Sequence, residues 1–136
     1  MPATQRSFEL SLLPETFAIC RLAPDAALPQ WATQGPFFSI TRTGAELSVI
    51  AETGVVPARL RTEVIWRVME VHGPFDFSEV GVLAALVQPL AASGVSVFTI
   101  STFDTDYLLV RCTQLREALA ALRTASHTVH ELKNMS

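Results

Sequence analysis

Ser101-Thr102-Phe103-Asp104-Thr105-Asp106-Tyr107-Leu108-Leu109-Val110 gathers hydroxyls and carboxylates in its first half and then turns apolar. Residues 95–100, Val-Ser-Val-Phe-Thr-Ile, precede it. β-Branched and aromatic residues on both sides of a short polar segment predict two strands joined as a hairpin. Antiparallel pairing of 95–100 with 107–110 would hold Thr102, Asp104 and Asp106 at one end of a sheet. A small cationic group could dock there.

Working outward, residues 65–71 alternate loosely and stop at His72-Gly73-Pro74, which reads as a strand ending in a turn. Beyond a loop, Leu83, Leu86, Val87 and Leu90 fall on one face at helical spacing. Ser78 is the expected N-cap of this helix over 78–90, and Gly94 its expected C-terminal stop. Pro89 has no N–H to donate and is expected to distort the last turn. After the hairpin, Thr113 is the expected N-cap of a second helix over 114–125, whose buried stripe is Leu115, Ala118, Leu119 and Leu122. Residues 127–132 are a final strand. The order strand, helix, strand, strand, helix, strand is the split βαβ pattern, with two helices on one face of a four-stranded antiparallel sheet.

The first half is richer in strands. Residues 8–13 and 16–22 read as strands around Pro14-Glu15, and 28–33 as one short helical turn. Residues 37–41 and 47–51 form a second hairpin, whose loop contains Gly44, a residue able to supply a positive φ. The expected division is therefore 1–60, a divergent strand-rich unit, and 61–136, the βαββαβ unit. The fold class is α+β, ferredoxin-like in its C-terminal half.

Composition narrows the function. The chain has 136 residues, 49% of them hydrophobic, with a formal charge of −3. That is enough apolar material for a core and argues against disorder. Lys133 is the one lysine and the arginines are spread singly, so the basic stripe of a nucleic-acid binder is missing. No apolar run approaches the roughly 20 residues of a membrane span. The polar start reads as no secretion signal, so a soluble cytoplasmic protein is expected, with Cys20 and Cys112 as reduced structural thiols.

Two segments resemble the ACT domains, small ligand-binding regulatory modules, and within them the paired bacterial type related to the animal cytosolic arginine sensor CASTOR. One is Phe77-Ser78-Glu79-Val80-Gly81-Val82-Leu83-Ala84, followed by Pro89-Leu90 and Gly94. It is similar to the loop, first helix and helix stop of an ACT unit. The other is the opening run, similar to the Ser-Thr-aromatic-x-Thr-Asp run of that subfamily. The resemblance covers residues 65–132 strongly and 8–51 weakly, where it implies a divergent ACT-like unit. It implies a free amino acid or similar small effector bound between units, association of units through sheet edges and helices, a homodimer, no cofactor and no catalysis.

A zwitterionic amino acid needs donors for its carboxylate and acceptors for its ammonium. Ser78, Val80, Gly81 and Val82 open a helix whose unpaired amides and positive dipole end suit the carboxylate. Thr102 and Asp106 offer acceptors, and Phe103 an apolar or cation-attracting wall. Bland readings stand beside these. Gly81 also fits close helix packing, Phe103 ordinary core, and Asp104 a turn cap.

Catalysis finds no support in the spacing of Cys20, Cys112, His72, His127 and His130. His127 and His130, three apart in a strand, should point to opposite faces and so form no local metal pair. Asp76, Glu79, Asp104 and Asp106 follow no EF-hand pattern. The alternative function is a protein–protein interaction module without a small ligand, joined through a sheet edge or an apolar helix face.

Overall fold

The computed structural model describes residues 6–75 and 80–132. Its elements run β1 (Glu9–Leu12), β2 (Phe17–Leu22), β3 (Ser39–Arg42), β4 (Leu47–Glu52), β5 (Trp66–Val71), α1 (Val82–Ala92), β6 (Val97–Ser101), β7 (Asp106–Arg111), α2 (Leu115–Thr124) and β8 (Thr128–Glu131). Short 3₁₀ turns occupy Gln30–Thr33, Ala58–Leu60 and Cys112–Gln114. The fold is α+β and dominated by sheet. From β5 to β8 the order is strand, helix, strand, strand, helix, strand, as expected.

Two compact units result, Met1–Pro14 with Arg67–Ser136, and Glu15–Trp66. This departs from the expected division at residue 60. Residues 8–13 were expected to open the first unit, yet β1 pairs antiparallel with β5 (Leu10 opposite Val71) and parallel with β8 (Leu10 opposite Val129). A strand hydrogen-bonded on both sides belongs to the sheet that satisfies its backbone. The C-terminal unit thus has five strands in the order β8-β1-β5-β7-β6, not four.

Period-two alternation decides which face of that sheet is buried. Leu10, Leu12, Met69, Val71, Leu108, Val110 and Val129 pack against Val82, Leu86 and Leu90 of α1 and Ala118, Leu119 and Leu122 of α2. Each fully buried leucine contributes roughly 1.5–3 kcal/mol of transfer free energy. The opposite face carries polar pairs: Ser11 Oγ lies 2.6 Å from His72 Nε2, and His130 Nε2 lies 2.9 Å from Glu9 Oε1. The His72 and His130 rings stack at 5.6 Å. His127, by contrast, is buried, so the two histidines of the last strand region do lie on opposite faces.

Both helices end as their sequences allow. Gly94 (φ +76°) closes α1, with its N–H donating to Ala91 O and that of Val95 to Leu90 O, a Schellman pair. Ser126 (φ +74°) does the same for α2, with His127 N–H donating to Leu122 O. The starts differ from expectation. The N-cap of α1 is Gly81, and Ser78 lies outside the described residues. Thr113 sits within the 3₁₀ turn rather than capping α2, which starts after Gln114. The Gln114 side chain instead bridges Ser96 N–H and Gly94 O, each at 3.1 Å. Pro89 is accommodated inside α1, which continues to Ala92.

In the N-terminal unit, β4 lies between β3 and β2, antiparallel to both. Ala18, Cys20, Leu47, Val49 and Ala51 form its core with Ala32 and Val56. Gly44 does not adopt the positive φ expected of it. The β3–β4 turn is shaped by Thr43, whose hydroxyl accepts the N–H groups of Ala45 (3.1 Å) and Glu46 (3.2 Å). A side chain that mimics a backbone turn removes the need for a left-handed glycine.

Candidate functional site

The hairpin forms as its sequence implies: β6 and β7 pair antiparallel from Val97 opposite Val110 to Ser101 opposite Asp106. Its tip, residues 102–105, is closed by Thr102. The Thr102 N–H donates to Thr105 O (2.8 Å), the Thr102 hydroxyl donates to the same carbonyl (3.0 Å), and the Thr105 N–H donates to Thr102 Oγ1 (3.3 Å). Thr102 therefore does the turn-closing work expected of Asp104. Its hydroxyl retains acceptor capacity but no donor for a ligand.

Beside this tip lies an open cavity of about 370 Å³, lined by Gly81, Val82, Leu83, Ala84 and Phe75 on one side and by residues 101–106 on the other. That volume falls within the range of small-molecule sites. Five of the seven expected site residues meet here: Gly81, Val82, Thr102, Phe103 and Asp106. Val80 does not line it. It is 83% exposed and borders a separate groove along α1. Ser78, like Asp76 and Glu79, lies outside the described residues.

One end of the cavity favours negative charge. The first intrahelical bond of α1 runs from Ala85 N–H to Gly81 O (2.9 Å), so the amides of Val82, Leu83 and Ala84 precede any helical acceptor. Gly81 supplies no capping side chain, and the first turn of α1, the positive end of its dipole, lines the cavity. Among the described residues, no heavy atom lies within 4 Å of where a Cβ at Gly81 would stand, so close packing against them is not why glycine stands there. The reason is its φ of +84°, which a side chain would strain.

The other end is acidic. Asp106 Oδ1 accepts the Ser101 hydroxyl at 2.5 Å, which fixes the carboxylate and leaves lone pairs for a cation. Asp104 lines the same wall. Phe103 is not core, as one reading had it, but stands 76% exposed at the tip. On the reverse side of the hairpin, Tyr107 donates to Glu70 Oε2 at 3.1 Å. Burial, then that hydrogen bond, and the charges of Glu70 and Asp104 push the Tyr107 phenol above its usual range.

Among the described residues, no three His, Cys, Asp or Glu side chains gather to hold a metal ion. No described helix is long and apolar enough to cross a membrane. Burial pushes the thiol pKa of Cys20 up, and that of Cys112 up against the opposing pull of Arg67, so both favour the unreactive protonated form.

A family model described as the ACT domain matches residues 61–124, and a second, described as an N-terminal domain, matches residues 15–59. The mouse cytosolic arginine sensor for mTORC1 subunit 1 is 31% identical over 87 residues, 58% of this chain and 26% of that protein. Its human counterpart is 43% identical over 47 residues, 34% of this chain and 14% of that protein. This chain is an ACT-domain protein related to the cytosolic arginine sensors.

The chain spans about a quarter or less of the length of these curated relatives. A crystal structure of a protein from Agrobacterium tumefaciens is similar along this ACT protein's length, with 34% identity, a TM-score of 0.87, and coverage of 96% of this chain and 98% of that one. A Vibrio cholerae protein of unknown function, described as a possible transport protein, shares the fold: 21% identity, TM-score 0.72, 88% coverage of this chain and 91% of that one.

Sequence reasoning missed Phe75, Leu83 and Ala84 as lining residues of this cavity. Leu83 and Ala84 follow directly from placing Gly81 and Val82 on the first turn of a helix. Phe75 carries no such signal, because only the folded loop after Pro74 brings it under the hairpin.

Proposed function

We propose that this ACT protein is a non-catalytic regulatory module that binds a free amino acid, or a similar small zwitterion, in the cavity between the start of α1 and the β6–β7 tip. The carrying observation is that one cavity has helix amides at one end and the Asp106 carboxylate, held by Ser101, at the other. The effector's carboxylate lies at the amides of Val82 and Leu83, its ammonium or a cationic side chain at Asp106, and Phe103 covers it. Descent from the same family as the arginine sensors supports this choice and makes L-arginine the first ligand to try.

The N-terminal unit is proposed as a divergent ACT-like unit. In support, its strands β2, β3 and β4 are arranged 1-3-2, as are β5, β6 and β7, with 3₁₀ turns where helices would stand. A homodimer in the cytoplasm completes the proposal, with the exposed edge strand β6 as one route for association.

A thermal-shift screen with the common amino acids tests the reading. A ligand that binds only the folded state raises the unfolding temperature by mass action. A flat response to the whole set at millimolar concentration would sink it, and would favour an interaction module without a small ligand.

A further inference from the structure

Three contacts fasten the hairpin tip to the chain leaving β5. The Thr105 hydroxyl donates to Val71 O at 2.7 Å, across the strand end rather than within the turn. The Phe75 N–H donates to Asp104 O at 2.8 Å. Between them Gly73 packs closely against the tip: a Cβ there would lie 3.0 Å from Asp104 O and 3.1 Å from Thr105 Cβ, so the tip backbone would have to give way by a few tenths of an ångström. Two threonines thus divide the work. Thr102 closes the turn internally, and Thr105 ties it to the rest of the unit.

We propose that Thr105 and Gly73 are positioning residues for the cavity, clamping the tip onto the end of β5 and thereby setting where Asp106 stands relative to the first turn of α1. This rests on reading the cavity as the effector site. A hairpin tip projecting from edge strand β6 would otherwise open locally at small cost, because few buried contacts hold it. The ordering cost would then be charged to every binding event. With the clamp closed, the tip is already in place. Thr105 reaches the site through its hydroxyl bond to Val71, and Gly73 by letting the 73–75 backbone approach the tip. Both act without requiring a contact to the effector.

The experiment compares parent, Thr105→Val, Thr105→Ser and Gly73→Ala by calorimetric titration with L-arginine and by amide exchange of Phe75. Thr105→Val keeps the shape and removes the hydroxyl. It should weaken L-arginine binding about tenfold and speed Phe75 exchange about tenfold, with Thr105→Ser restoring both. Gly73→Ala should move both readouts in the same direction from the opposite side of the contact, which keeps the test open if one variant folds poorly. Parent-like Phe75 exchange in both Thr105→Val and Gly73→Ala would overturn the clamp. So would faster exchange with unchanged L-arginine affinity, or failure of Thr105→Ser to rescue. If L-arginine does not bind the parent, that is a failure of the effector reading with this probe. The exchange measurements then decide the clamp by themselves.

Discussion

His127 Nε2 lies 3.1 Å from the carbonyl oxygen of Ala85, the acceptor that Pro89 leaves without its helical donor. The other ring nitrogen, Nδ1, accepts the Phe8 N–H at 3.1 Å. An amide can only donate, so Nδ1 is bare, Nε2 carries the proton, and the tautomer is fixed by its two partners. With 5% of its surface exposed, this imidazole repairs the gap that a proline opens inside α1.

His127→Phe keeps the ring volume but leaves a buried N–H and a buried C=O unpaired. It should cost about 2–4 kcal/mol in urea unfolding. Pro89→Ala returns a donor to Ala85 O, so it should stabilise the His127→Phe background more than the parent. Additive behaviour of the two substitutions would break the link between them.

Ser126 occupies the left-handed position that ends α2, at φ +74°. A residue with a Cβ pays for that conformation, whereas glycine does not. Ser126→Gly should therefore raise stability by about 0.5–1 kcal/mol and Ser126→Val should lower it. Thermal unfolding checks both, and equal midpoints would contradict the assignment.

No described residue crowds Gly81, and its positive φ is what strains a side chain there. Gly81→Ala should cost about 1 kcal/mol, and Gly81→Asn less, because asparagine tolerates the left-handed region. If alanine and asparagine cost the same, the positive φ is not what selects glycine here.

Alkaline pH should weaken the fold. Burial pushes up Cys20, burial against the pull of Arg67 pushes up Cys112, and burial together with Glu70 and Asp104 pushes up Tyr107. In each case the folded state prefers the protonated form. The contribution is fully present below the unfolded pKa, about 8.5 for a thiol and 10 for a phenol, and is lost as pH rises through the folded values. The unfolding free energy should fall above about pH 8.5, and Cys20→Ala should flatten that slope.

The C-terminal unit was legible because its signals are local. Leu86, Leu90, Ala118, Leu119 and Leu122 declare helix faces by spacing alone, and the 95–110 run declares its own hairpin. The seating of β1 between β5 and β8 was not legible, since 9–12 and 128–131 are paired across most of the chain and nothing in either segment names its neighbour. The turns erred for a related reason. Gly44 and Asp104 are the residue types that statistics favour, but Thr43 and Thr102 close those turns through side-chain bonds that depend on exact geometry. In the site, the family motif and the helix start indicated Gly81, Val82, Thr102, Phe103 and Asp106. Val80, which precedes the left-handed Gly81, borders a different groove from those five.

The most direct test of the effector reading is a heteronuclear NMR titration of the ¹⁵N-labelled protein with L-arginine and then the other amino acids, repeated on Asp106→Ala. Saturable shifts concentrated at the amides of Val82, Leu83 and residues 102–106 are expected, lost in Asp106→Ala while the rest of the spectrum stays folded. Absence of saturable shifts with any amino acid at millimolar concentration, or shifts that survive Asp106→Ala unchanged, would contradict that reading.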